Sequence, residues 1–207
     1  MDFALYRTTP LEDWITEKYL KNAICSPSDL DINHVAYVFG GEIAYLQTVS
    51  HARWIDDGTN VFIVLLDNRL EELEMRSVFF HELCHPLRHC GNQRLLPPSL
   101  RGLQEEQANA FQLYAAMPFF MVKELELPLY KKHAIDLLAS EFKVSHTFAK
   151  KRLEQIERRH FEGRISYEFQ RHLQSNKKAK EDLYSHETLR ILKQLKRQVD
   201  TTPALIK

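Results

Sequence analysis

His81, Glu82 and His85 fall within the run Val78-Phe79-Phe80-His81-Glu82-Leu83-Cys84-His85. Histidines four residues apart project from one face of a helix, about one turn apart, so both rings can reach a single Zn²⁺ at about 2.0–2.1 Å. Glu82, beside the first histidine, then stands where a general base is needed, and the chemistry implied is metal-assisted hydrolysis. A plainer account is a histidine pair that is solvated, or hydrogen-bonded in a core. The setting favours the metal: Arg76 to Phe80 supplies an apolar helical approach, and a second acidic helix follows at a workable distance.

That second helix is where a third donor is to be sought. Gln104-Glu105-Glu106-Gln107-Ala108-Asn109-Ala110-Phe111 holds the only acidic pair soon after the motif. Either carboxylate could complete a His₂Glu set with one open position, although a Glu in a first helical turn is also favoured by the helix dipole alone. Glu105 shares a face with Ala108, Asn109 and Gln112, and Glu106 shares one with Ala110 and Leu113, which leans towards Glu105. His89 lies about 12 Å along the axis from His81, too far to share the ion. It reads as a second-layer contact, a substrate-facing group or a solvated side chain. Pro86 cannot donate to the carbonyl of Glu82 and is expected to kink or end the helix just past the motif.

The elements around these residues follow from pattern. Thr9-Pro10 opens a helix with Leu11, Trp14, Ile15, Tyr19 and Leu20 at helical spacing. A turn at Ser26-Pro27-Ser28-Asp29 leads into a second helix through Ile32, Val35, Ala36 and Val38, stopped by Gly40-Gly41. Glu42 to Thr48, His51 to Ile55 and Asn60 to Leu66 are strand-like, with Asp57-Gly58 as a hairpin turn and the all-apolar 61–66 as an inner strand. The motif helix spans about Arg69 to His89, and Gly91 to Gly102 reads as a reversing loop. The next helix runs from about Leu103 to Met117, ahead of Pro118.

The 207 residues suffice for one sizeable domain with an appendage, and the 44% hydrophobic share is that of a packed protein. No apolar run approaches a membrane span, and the first residues do not read as a signal peptide. Three cysteines, Cys25, Cys84 and Cys90, suit reduced thiols in a cytoplasmic protein, with Cys84 as packing. Net charge is zero but uneven: residues 1–130 carry 10 Lys and Arg against 18 Asp and Glu, and residues 131–207 carry 18 against 10. The basic part suits an acidic partner or nucleic acid, or the acidic part of its own chain.

Taken together, Phe79 to His85 with His89, then Glu105-Glu106-Gln107-Ala108-Asn109-Ala110-Phe111, then Ala116-Met117-Pro118, resemble the ImmA/IrrE family of metallopeptidases over roughly residues 28–160. Pro86 and Gln112 depart from that family's usual pattern. The resemblance implies an α+β, zincin-like domain with a small antiparallel or mixed sheet and an H-E-x-x-H helix. It implies His81, His85 and Glu105 as ligands of Zn²⁺ or another divalent ion, with Glu82 as the catalytic glutamate. It also implies a narrow endopeptidase acting on a helix-turn-helix repressor of a prophage, mobile element or stress regulon. His89, Arg88, Tyr114 and Tyr130 are candidates for stabilising the oxyanion.

Three parts are expected: a metallopeptidase domain over 1–127, a helix-turn-helix-like unit over 128–160, and a basic helical extension over 161–207. In the second, His133 to Phe142, a turn at Lys143-Val144-Ser145, and Thr147 to Arg159 make a helix pair. Its Lys150, Lys151 and Arg152 read as a basic patch, for protein docking or interdomain packing rather than DNA. In the extension, a short helix from Tyr167 to Leu173 and another from His186 to Val199 are expected. The other reading is a regulator that binds a repressor or DNA through this basic half without cleaving.

Overall fold

Helix α1 (Pro10–Lys21) begins where the sequence places a cap. The Thr9 hydroxyl accepts from the Glu12 N–H at 3.1 Å, and the Glu12 carboxylate accepts from the Thr9 N–H at 3.0 Å, a reciprocal capping box. This computed structural model describes residues 3–55, 61–89, 96–181 and 184–200, without the side chains of 176–181 and 199–200. After a 3₁₀ turn at Pro27–Asp29 comes α2 (Ile32–Val38). Its exit needs Gly40 at φ 84°, a left-handed conformation that costs glycine little.

Strands β1 (Gly41–Leu46), β2 (His51–Trp54) and β3 (Phe62–Asp67) form one mixed sheet in the order β1-β3-β2. β3 pairs parallel with β1 and antiparallel with β2, so the apolar run is the inner strand, and Phe62, Val64 and Leu66 are buried. The Asp57-Gly58 turn lies outside the described residues. In the antiparallel pair Ile55 N–H donates to Val61 at 2.9 Å, continuing the register His51↔Leu65 and Arg53↔Ile63. By the two-residue alternation, the peptide groups of Ala52 and Trp54 point away from β3, to the outer edge of the sheet.

Helix α3 (Glu72–Arg88) packs on β2 and β3 and alongside α4 (Pro98–Ala116). Phe79, Phe80, Leu83 and Cys84 make its buried side. Pro86 does not end α3 at the motif. It sits so near the C-terminus that only the bond to the Glu82 carbonyl is forfeited, and His89 N–H still reaches the His85 carbonyl at 3.0 Å. α4 starts earlier than expected: Pro98 occupies the first turn, where its missing N–H costs nothing, so the region read as loop up to Gly102 is partly helical. Gln112 on α4 donates to the Ser77 carbonyl at 2.7 Å and to its hydroxyl at 2.9 Å, pinning α4 to α3.

After the single turn α5 (Phe119–Val122), α6 (Lys131–Phe142) ends with Lys143 in the left-handed region at φ 50°. Ser145 then caps α7 (His146–Glu181), its hydroxyl accepting from Phe148 N–H at 3.1 Å. The stretch 167–173, read as a separate helix, is an interior part of α7. Contacts divide the chain into two compact units, Met1–His160 and Phe161–Lys207. In the second, α8 (His186–Asp200) leaves Leu189, Ile191, Leu192 and Leu195 exposed. Among the described residues no helix is long and apolar enough to cross a membrane.

The basic patch read on α7 divides between surface and packing. Lys150 and Lys151 are exposed, but Arg152 is fully buried, on the same helix face as Phe148, Ala149 and Ile156. Its guanidinium donates to Glu12 at 2.9 Å, to the Met117 carbonyl at 3.0 Å and to Gln155 at 2.6 Å, and lies 4.8 Å from the Tyr114 ring centre. Charge at that position joins α7 to α1 and α4 instead of facing solvent.

Candidate metal centre

The His81 and His85 side chains leave one face of α3, and α4, held by the Gln112–Ser77 contact, brings Glu105 to them. The His81 Nε2 lies 3.1 Å from one Glu105 carboxylate oxygen, and the His85 Nε2 lies 4.0 Å from the other. All three donor atoms fall within 4.8 Å of one another. Donors bound at 2.0–2.1 Å to a tetrahedral ion would be about 3.3 Å apart, so this donor set fits a divalent cation with only small movements. Glu106, the alternative, is exposed on α4.

Burial sets the protonation of the cluster. His85 is held down at about 4, by burial first and by the neighbouring His81 second, with Glu105 pulling the other way. It is therefore neutral at pH 7, the form in which an imidazole nitrogen offers a lone pair. Glu82 is pushed up to about 7 by burial and then by the Glu105 charge, against an Ala52 N–H that donates to its carboxylate. That contact agrees with the sheet register, which turns the Ala52 peptide outward, and it fixes Glu82 at the free edge of β2. A carboxylate poised near 7 can exchange protons at neutral pH. Cys84, between the two histidines in sequence, is buried, and burial pushes its thiol up to about 12, so it packs as a neutral group.

The other named candidates divide. Tyr114 is buried with its hydroxyl accepting from Gln155 at 3.2 Å, and Arg152 lies over its ring. Tyr130 is exposed beside His133, with 5.8 Å between ring centres, and Arg88 lies 5.7 Å from the Trp14 ring. None of these three has its described contacts at the donor cluster. His89 does: its Nδ1 is 2.9 Å from the Nδ1 of His85. The sequence reading missed the Ala52 peptide, because a backbone group at a sheet edge leaves no residue-type signal.

An α+β fold that brings two helix-borne histidines, a glutamate from the next helix and a second carboxylate together has the layout of a metal-dependent hydrolase. The model for the peptidase M78 family, described as the IrrE N-terminal-like domain, matches residues 42–154, and the chain belongs to that family of metallopeptidases. The chain is 32% identical over 148 residues to YqaB of Bacillus subtilis (strain 168), covering 72% of this chain and 84% of that one. It is also 32% identical over 161 residues to the phage-like element PBSX protein XkdA of the same strain, covering 76% and 80%. A solved Mycobacterium tuberculosis transcriptional regulator is similar at 18% identity with a TM-score of 0.46, over 69% of this chain and 46% of that one.

Proposed function

We propose that the chain is a zinc-dependent endopeptidase of narrow specificity, working in the cytoplasm on a helix-turn-helix repressor so that cleavage relieves repression. The observation that carries this reading is the convergence of the His81, His85 and Glu105 donors beside Glu82. His81, His85 and Glu105 would hold the ion, Zn²⁺ being the first choice for two imidazoles and one carboxylate, although other divalent ions accept the same donors. When bound, the ion supplies Lewis acidity that acidifies water and polarises a carbonyl. Glu82 takes the water proton on its carboxylate and delivers it to the departing amide nitrogen. The outward-facing Trp54 peptide groups and the Ala52 carbonyl suit a substrate lying extended along β2, the Ala52 N–H being held by Glu82. XkdA is named for a phage-like element, which supports a prophage setting for the partner.

The test is metal analysis of the purified protein, followed by incubation with helix-turn-helix repressors encoded beside its gene. Wild type should carry about one ion per chain and yield fragments, whereas Glu82→Gln should keep the ion and yield none. Cleavage by Glu82→Gln at the wild-type rate would refute the assignment of the base. The exposed Lys150 and Lys151 also suit the other reading, binding without cleavage. Repressor capture by wild type with no fragments at any metal loading would favour it.

A further inference from the structure

We propose that His89 is a positioning residue: its Nδ1 accepts the Nδ1–H of His85 and locks that ring with Nε2 turned to Glu105. The proposal rests on the metal reading of His81, His85 and Glu105.

The geometry leaves little choice of roles. The two Nδ1 atoms are 2.9 Å apart, with ring centres at 5.0 Å, so one proton lies between them. The other nitrogen of His85, Nε2, is the one facing Glu105 and must be bare to act as a donor. The shared proton therefore sits on His85 Nδ1, and His89 Nδ1 accepts it. His89 in turn carries its proton on Nε2, a buried atom with no hydrogen-bond partner among the described residues, near the Gln107 side chain of α4. His89 thus approaches His85 from the side opposite Glu105, which places it behind the ligand and not in the donor set. Its position depends on the end of α3. Arg88 is the last helical residue, and His89 leaves the helix at φ −114°, ψ 132° while its N–H still holds the His85 carbonyl at 3.0 Å. A ring oriented through its second nitrogen binds metal more tightly because it need not be fixed at the moment of binding. Loss of such a partner typically weakens metal affinity 10–100-fold.

The experiment compares His89→Ala and His89→Asn in the full-length protein, using Zn²⁺ competed against a chromophoric chelator and the thermal midpoint of the metal-free form. Asn places Oδ1 where histidine has Nδ1, so it keeps the acceptor and loses the rest of the ring. His89→Ala should weaken Zn²⁺ binding about 10–100-fold with the metal-free midpoint unchanged, and His89→Asn should restore most of it. Unaltered affinity in His89→Ala overturns the proposal and leaves the three-donor site standing. Equal loss in Ala and Asn also overturns it, because the acceptor is then not what matters. Failure of wild type to bind Zn²⁺ would overturn the metal reading itself, and this proposal with it.

Discussion

Replacing Arg152 with Ala should destabilise the first unit severely, although three residues of sequence, Lys150-Lys151-Arg152, look alike. The guanidinium is 0% exposed and the Glu12 side chain 3%, and they meet at 2.9 Å, so removing the cation strands a buried carboxylate. Breaking such a pair from one side costs about 3–5 kcal/mol. Glu12 would keep Tyr6, whose hydroxyl donates at 2.5 Å, the Thr9 N–H at 3.0 Å, and Arg159 at 3.4 Å. These partners place the loss near the lower end, about 3 kcal/mol, which for a chain of this size is a fall of roughly 6–12 °C in midpoint. The pH dependence gives an independent reading. Burial raises the Glu12 pKa, but Arg152, with the Tyr6 and Thr9 hydrogen bonds, outweighs it and holds the carboxyl below its usual value. A folded-state value lowered in this way contributes stability that is fully present above the ordinary carboxylate pKa, about 4.3, and is lost as pH falls through the folded value. In Arg152→Ala, burial is no longer opposed by that cation, so this acid-side loss should shrink or reverse. Thermal unfolding followed by circular dichroism at pH 7 and pH 4 measures both. A midpoint shift under about 2 °C at pH 7, or an equal shift in Lys151→Ala, would refute the reasoning.

Glu105→Gln should lower Zn²⁺ affinity by more than the roughly 100-fold upper end for second-layer losses, while Glu106→Gln should leave it unchanged; chelator competition decides, and the reverse result moves the ligand by one residue. Pro86→Ala restores a donor to the Glu82 carbonyl and should stabilise by about 2–2.6 kcal/mol, the helix gain of about 3 less the roughly 0.4–1 of entropy that proline removes from the unfolded chain; a lower melting midpoint would show that the proline fits its site. Replacing Lys150 and Lys151 together by Ala should keep stability within about 0.5 kcal/mol and slow cleavage of a full-length repressor while sparing a short peptide spanning the cut. Salt-sensitive, sequence-specific retention of a promoter fragment by the wild-type protein would instead assign those lysines to DNA.

Much of the scaffold is legible in the sequence because its determinants are local. Thr9 and Glu12 announce a capping box at the required three-residue offset, and the apolar run 61–66 announces an inner strand. The convergence of His81 and His85 needs only a helical period. The return of Glu105 needs a reversal between helices, and there the residue pattern alone left two carboxylates open. What the residue pattern left open depends on partners far away in the chain. Arg152 meets Glu12 across 140 residues, and no local rule predicts that pairing. A signal did exist: Arg152 lies four residues after Phe148 and four before Ile156, both buried, so helical period already set it on the core face. Composition offered docking or packing for the whole triplet, and periodicity separates Arg152 from the two lysines. The continuity of α7 through 167–173 was missed for the converse reason. Phe161, Ile165, Phe169 and Leu173 recur every four residues but stay exposed, so their row lacks the burial that usually accompanies such a pattern.

The site joins two requirements that a single environment satisfies. Donor histidines must be neutral, and a carboxylate that is to exchange protons at neutral pH must hold them more tightly than it does in water. Desolvation disfavours charge whatever its sign, so the same burial moves His85 down to about 4 and Glu82 up to about 7. The Glu105 carboxylate, 43% exposed, adds to the rise of Glu82. Two groups within one turn of α3 thereby take opposite protonation shifts from the same burial, without a dedicated charge partner for each. That burial follows from where α3 lies. α3 presses Phe79, Phe80 and Leu83 into the core and leaves its histidine face at the margin, where the free edge of β2 supplies the one N–H that restrains Glu82 from rising further. Moving Glu82 one position along α3 would turn it by about 100° and detach it from that edge. The adjacency of His81 and Glu82 is therefore a requirement of the sheet as much as of the metal.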